Sequence, residues 1–183
     1  MTGTVTPQLE TYYAKRASEY ERIYDKVERQ EELAWLRERL PKLFEGRRVL
    51  EIACGTGYWT QFIAKNAVHV TACDINEPVL EIAREKPIPR GRVRFVKADA
   101  FAPEGACNGC DAAFAGFWWS HVRKSELTRW LAGIAKSLPS GALVAILDNR
   151  YVEGSSTPVS RRDGEGNTYQ VRPLPEYRDG VRA

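Results

Sequence analysis

The sequence predicts an α/β protein built as a three-layer sandwich with a mostly parallel central sheet. Three observations carry that expectation. Apolar runs of strand length alternate with longer stretches of helical periodicity between Arg47 and Leu147, the order that strand-helix-strand units produce. The first run, Val49, Leu50 and Ile52, has the density of large apolar residues of a strand buried on both faces. Within RRVLEIACGTGYWT, Arg47 to Thr60, that run changes into a small, glycine-punctuated turn and then into a helical pattern.

The rest of the chain is arranged about that turn. Gly55 and Gly57 can adopt backbone angles closed to other residues, and their missing side chains let a ligand approach the main chain. A helix beginning near Gly57 or Tyr58 would turn free N–H groups towards that ligand. Glu51 does not suit a plain core strand. A carboxylate at the carboxyl end of a central strand must be paired or face a crevice, and in open α/β sheets ligands occupy that crevice.

Taken in order, Pro7 to about Val27 reads as an amphipathic helix with Tyr13, Ala17, Tyr20 and Tyr24 on one face. Glu31 to Phe44 predicts a second helix, with Leu33, Leu36, Leu40 and Phe44 in one stripe and Gly46 as its stop. Tyr58 to Asn66 follows as a crossover helix, and Val68 to Cys73 as a second strand ending at Asp74. Asp74 comes after Gly57 at close to the roughly 20-residue interval at which an acidic side chain meets nucleotide ribose hydroxyls. The rival reading is a helix N-cap at Asp74 or Asn76, ahead of Glu77 and Pro78. Pro78 to Lys86 is the next helix, and Val93 to Val96 a third strand that ends in Lys97, Ala98, Asp99 and Ala100.

Asp111 to Ala115 is a fourth strand, followed by GFWWSHV. Adjacent tryptophans at a strand end point to opposite sides, so either Trp118 or Trp119 lines the crevice. Arg123 to Leu138 carries an apolar stripe of Leu127, Trp130, Leu131 and Ile134 and is stopped by Pro139, Ser140 and Gly141, and Ala142 to Leu147 is a fifth strand. From Glu153 the tail is rich in Gly, Ser, Pro and Arg, and only Thr168 to Val171 looks like a strand. Arg161, Arg162, Arg172 and Arg178 either meet an acidic partner or belong to a solvated arm.

A length of 183 residues predicts one domain, divided here into a body over 1–148, with helices over 1–45 that include a lid, and an arm over 149–183. The N-terminus has neither the basic start nor the apolar centre of a signal peptide, and no apolar run is long enough to span a bilayer, so a cytoplasmic protein without membrane contact is expected. The net charge of +3 is too small to argue for nucleic acid. Cys107 and Cys110 form a C-x-x-C, but further zinc ligands are lacking, so no metal is expected and all four cysteines are read as reduced thiols.

The stretch E51-I-A-C-G-T-G57 resembles the first motif of the class I S-adenosylmethionine (SAM) dependent methyltransferases, departing at Ala53, where many members carry glycine. The dinucleotide fingerprint fits less well, since it would need a small residue at Thr60 and does not ask for Glu51. The resemblance covers about residues 9–148 and implies a Rossmann-like sandwich acting on a small-molecule acceptor, with SAM as cofactor and S-adenosylhomocysteine as product. It assigns Glu51 to the methionine amino end, the backbone over Ala53, Cys54, Gly55 and Gly57 to the methionyl moiety, and Asp74 to the ribose. Ile75 would lie along the adenine, and Asp99 and Ala100 would meet its edge. Phe117, Trp118, Trp119, Ser120 and His121 would form the active-site wall, and Tyr13 and Tyr20 a lid. Histidine is the side chain suited to proton transfer near neutrality, and His121 is either the base that takes the acceptor's proton or a turn residue. The family's two last strands are shortened or missing here, which leaves the fifth strand as an edge through which a homodimer could form. Two other classes remain, a non-catalytic SAM-binding or scaffolding protein and a protein or RNA methyltransferase.

Overall fold

The computed structural model of the chain describes residues 21, 23–106, 108–154 and 156–171. Five strands, β1 (Arg48–Ile52), β2 (His69–Asp74), β3 (Val93–Lys97), β4 (Ala112–Gly116) and β5 (Leu143–Leu147), pair in parallel in the order β3-β2-β1-β4-β5. Strand order reverses at β1. The chain first steps outward to β3 and then jumps back to β4, so the crevice between β1 and β4 is the topological switch point at which α/β sheets bind ligands. The helices are α1 (Gln30–Leu43), α2 (Thr60–Ile63), α3 (Glu77–Arg84) and α4 (Leu127–Lys136).

Period-two alternation explains the two cores. Val49, Val70, Ala72, Ala112 and Phe114 turn to one face, where they meet Leu33, Leu40 and Phe44 around α1 and Ile63 of α2. Leu50, Ile52, Cys73, Ala113 and Ala115 turn to the other, against Phe101 and against Trp130 and Ile134 of α4. Glu51 falls in step with Val49, so its carboxyl enters the first of these layers. The central strands are buried on both faces, whereas β3 and β5 are partly exposed edges, with Val144 and Ile146 reaching solvent. Among the described residues no helix is long and apolar enough to cross a membrane.

Several elements differ from expectation. The stretch 58–66 keeps regular helix only over Thr60–Ile63, and its flanks tighten to i→i+3 bonds such as Phe62 N to Trp59 O, 3.0 Å, and Lys65 N to Phe62 O, 3.2 Å. Tyr58, Trp59 and Phe62 pack on one another here, and bulky aromatic side chains lose freedom against the preceding helical turn. The N-terminal helix lies mostly outside the described residues; its described end, residues 21, 23 and 24, forms a 3-10 turn, with irregular chain at 25 and 26.

In the tail, Arg161–Arg162 (β6) pairs antiparallel with Thr168–Tyr169 (β7). Asp163 closes this hairpin by accepting from Asn167 Nδ2 (2.9 Å), Tyr169 OH (2.8 Å) and Asn167 N (2.8 Å), and those donors, the Asn167 side chain foremost, hold its carboxyl down to about 2. The hairpin is anchored on the chain ahead of α4, through Lys124 N to Asn167 Oδ1 (2.9 Å) and Ser125 Oγ to Glu165 (2.8 Å). A freely solvated arm is thereby corrected for residues 161–169; Arg172 and Arg178 lie outside the described residues. Cys54 and Cys73 are free thiols, but Cys110 is disulfide-bonded, which corrects the expectation that all four cysteines are reduced. Cys107 lies outside the described residues.

Gly133 shows how tightly α4 sits: a Cβ there would lie 2.7 Å from the Phe101 carbonyl oxygen. Alanine would gain about 1 kcal/mol of helix propensity, but overpacking against backbone costs about 1–3 kcal/mol. Gly133→Ala should therefore lower stability by about 1 kcal/mol, read as a melting temperature about 2–4 °C lower; a higher melting temperature would contradict this packing.

Candidate active site

A cleft opens at the carboxyl ends of β1 and β4, floored by Glu51, Ala53, Gly55 and Gly116 and walled by Tyr24, Tyr58 and Trp59. Its floor depends on backbone that few residues adopt. Ala53 (φ 53°), Gly55 (φ 55°) and Gly57 (φ 75°) are all left-handed. Only Ala53 carries a Cβ, at a cost of about 1–2 kcal/mol, which gives a physical reason for glycine in related chains. At Gly57 a Cβ would also come within 3.0 Å of the Ala83 Cβ in α3.

The loop is tied down from three sides. Cys54 N donates to Cys73 O (2.9 Å), Gly57 N to Cys54 O (3.1 Å) and Gly55 N to Asp74 Oδ2 (3.0 Å). Thr56 Oγ1 donates to the Glu21 carboxylate at 2.7 Å, and Glu21 also pairs with Lys86 at 2.5 Å. Asp74 Oδ1 accepts from Asn76 N (2.9 Å). Asn76 occupies the N-cap position of α3, yet its side chain makes no capping bond, so the capping role is corrected while the position stands.

Glu51 is 2% exposed, and neither its Oε2 nor the neighbouring Thr60 Oγ1 completes a hydrogen bond among the described residues. Burial pushes the carboxyl up to about 8, and the nearby Thr60 hydroxyl opposes this only in part. A buried acid with one oxygen unpartnered among the described residues, at the floor of a crevice, suits a ligand ammonium, which would supply the missing charge partner. The thiols beside it are inert: burial, then the charges of Glu51 and Asp74, raise Cys54 well above its ordinary value, and burial raises Cys73 to about 12.

Asp74, Ile75, Asp99 and Ala100 meet at the adjoining ends of β2 and β3, where Ala98 N bonds Asp74 O at 3.0 Å. Asp99 Oδ1 accepts from Phe101 N (2.9 Å) and Ala100 is buried. Past β4, Phe117 is left-handed (φ 59°), and its N donates to Leu147 O at 2.6 Å. That turn shifts the side-chain alternation by one. Phe117 packs behind the cleft's rings, 6.2 Å from Tyr24 and 6.1 Å from Trp59 between ring centroids, while Trp118 enters the opposite core, its Nε1 without a partner among the described residues. Trp119 is partly exposed and meets Trp130 edge-on. Ser120 is fixed by Asp148, and His121 closes the short turn Trp119–His121, half-buried and 5.8 Å from the Trp118 ring.

Tyr13 and Tyr20 lie outside the described residues. Tyr24 takes a place over the cleft that the sequence reading did not assign to it, stacked on Tyr58 at 3.6 Å and edge-on to Trp59. Burial holds its hydroxyl far above the ordinary tyrosine range. Its signal in the sequence was its spacing from Tyr20; that of Tyr58 was its place directly after Gly57. Arg37 donates to the Tyr58 hydroxyl at 3.0 Å and so fixes that ring.

Sheet order, left-handed loop and strand-end acids together define a nucleotide-binding α/β domain. A family model described as "Methyltransferase domain" matches residues 49–141. The chain belongs to that family, within the class I SAM-dependent methyltransferases. The demethylmenaquinone methyltransferase of Staphylococcus aureus (strain MRSA252) is 28% identical over 121 residues, 63% of this chain and 50% of that relative; the chain thus spans about half the length of such curated relatives. Among solved structures, a DhpI-SAH complex shares 27% identity with a TM-score of 0.67, covering 90% of this chain and 78% of that one. A DhpI-SAM-HEP complex, 24% identical, superposes with a TM-score of 0.69 over 96% of this chain and 86% of that one, a likeness of fold.

The Glu51 environment gives a signed pH dependence. Its folded value lies above the unfolded one, near 4.5, so between about 4.5 and 8 the unfolded state loses the proton first, and the ligand-free protein loses stability as pH rises, by up to about 1.4 kcal/mol per pH unit. Urea unfolding at pH 5 and pH 8 should show this fall in the wild type and a much smaller one in Glu51→Gln; equal slopes would place the ionised carboxylate in solvent.

Proposed function

We propose that this chain binds SAM across the carboxyl ends of β1, β2 and β3 and transfers its methyl group to a small-molecule acceptor beside β4. The observation that carries this reading is the buried Glu51 carboxyl, whose Oε2 has no partner among the described residues, next to a left-handed loop that Asp74 holds in place. In this reading Glu51 receives the methionine ammonium and the backbone over 53–57 meets the methionyl chain. Asp74 takes the ribose hydroxyls, with Ile75, Asp99 and Ala100 around the adenine. Bound SAM supplies an activated methyl group: the acceptor's lone pair bonds to its carbon as the carbon–sulfur bond breaks, and that electron pair stays on the sulfur of S-adenosylhomocysteine.

The protein's own part is mainly to position and to exclude water. Tyr24, Tyr58 and Trp59 line the cleft with rings, backed by Phe117, and such ring faces favour a sulfonium cation. Well-oriented reactants can draw about 7–11 kcal/mol of barrier lowering from positioning alone, so His121 is assigned only the removal of the acceptor's proton. A small organic acceptor is supported by this aromatic wall and by the activity named for the Staphylococcus relative. The body over 1–148, the arm over 149–183, cytoplasmic residence and pairing of two copies along β5 complete the reading, the last supported by the exposed Val144 and Ile146.

Calorimetric titration with S-adenosylhomocysteine, with NADH as control, should show binding of the first alone. Asp74→Ala should weaken that binding at least tenfold, since it removes a ribose acceptor and unties Gly55; undiminished affinity in this variant would refute the ribose assignment.

A further inference from the structure

Arg29 is a cation that the reading above leaves unused. It ends the short turn Val27–Arg29 ahead of α1, and its guanidinium carbon lies 5.3 Å from the centroid of the Phe117 ring. That ring in turn meets Tyr24 and Trp59, which wall the cleft. Nη2 of Arg29 donates to Asn149 Oδ1 at 3.1 Å, just past β5. The guanidinium therefore bridges the ends of β4 and β5, on the side of the cleft away from Asp74 and Asp99, where an acceptor rather than the nucleotide would lie.

Its electrostatic surroundings are unbalanced. The Arg29 side chain is only 17% exposed, whereas its carboxylate partner Glu32, at 2.9 Å, is 59% exposed. A water-facing pair of this kind is screened by solvent and an aromatic face adds only a weak attraction, so the withdrawn charge is incompletely compensated. The acid nearest in sequence past β5, Asp148, is engaged by Ser120 and by Asn149 N. Exposed Arg123, Lys124 and Arg150 follow the ends of the same two strands, Arg123 beside Glu126 at 4.0 Å.

We infer that the acceptor is a small organic oxyanion, held beside Phe117 by the Arg29 guanidinium. This rests on the methyltransferase reading and narrows it: the planar fork of donors matches a carboxylate or a phosphate in two-point fashion and would fix the orientation of the acceptor as well as its affinity. It also separates this chain from a neutral quinone-type acceptor, which gives a guanidinium no charge to bind.

The test uses protein saturated with S-adenosylhomocysteine, titrated at constant ionic strength with inorganic phosphate, with benzoate and with neutral benzamide, and followed by tryptophan fluorescence. Saturable binding of phosphate, of benzoate or of both is expected, with benzamide at least tenfold weaker, and the preferred anion identifies the source of the oxyanion. Arg29→Gln should weaken anion binding at least tenfold with S-adenosylhomocysteine affinity within twofold, while Arg84→Gln, at an exposed position on α3, should leave it unchanged. Should Arg29→Gln not fold, Arg29→Lys decides, since it keeps the charge and loses the fork, and a several-fold weakening is expected. Anion binding that is absent, matched by benzamide, or indifferent to both Arg29 variants overturns the inference while the cofactor reading stands. Failure of S-adenosylhomocysteine itself to bind overturns both.

Discussion

The hydrogen bond from Gly55 N to the Asp74 carboxylate holds together the features on which the site depends. After β1 the chain must reverse over the edge of the sheet while leaving backbone N–H groups and a buried carboxyl open to a ligand. Three left-handed residues accomplish the reversal, and one of them is an alanine that would relax elsewhere if nothing restrained it. Asp74 restrains it from the end of β2, and Glu21, bound to both Thr56 and Lys86, restrains it from above. The same carboxylate joins the loop to α3 through Asn76 N. A shift at the end of β2 would thus move the loop, the Glu51 pocket and the start of α3 together.

What the sequence made legible follows from how local each signal is. The apolar density of Val49, Leu50 and Ile52, the glycines at 55 and 57, and the acids that close β2 and β3 each depend on a few neighbouring residues, and the five strands appear within a residue or two of their expected bounds. Features that rest on distant partners could not be read. Arg29 meets Asn149 across 120 positions, and Tyr24 finds Tyr58 only once the sheet has formed between them. The Trp118–Trp119 expectation rested on uninterrupted alternation, and a left-handed phenylalanine, which no propensity favours, turned Phe117 towards the cleft's rings and Trp118 into the opposite core. The helix after Gly57 was overestimated because periodicity registers amphipathicity but not the crowding of three aromatic rings.

The two ends of the cleft have opposite electrical character. Carboxyl groups of Glu51, Asp74 and Asp99 stand at the ends of β1, β2 and β3, and guanidinium and ammonium groups stand around the ends of β4 and β5. Between them lie the buried rings of Tyr24, Trp59 and Phe117, where charge placement counts for more than at the surface. On the proposed reading, a cationic donor would favour the first end and an anionic acceptor the second, and such a field would orient both before any specific contact is made.

The acceptor wall is braced from behind by chain that the cofactor half does not touch. Asp148 past β5 fixes Ser120, and the β6–β7 hairpin fixes Lys124 and Ser125, so the segment from Phe117 to Ser125 is held on both flanks. The cofactor loop draws its restraints from β2, α3 and Glu21 instead. Because the two sets share no bond among the described residues, a change past β5 can reshape the segment after β4 without disturbing the cofactor loop. On the proposed reading, acceptor choice would then be tuned around Phe117, with Arg29 reaching across from the chain ahead of α1.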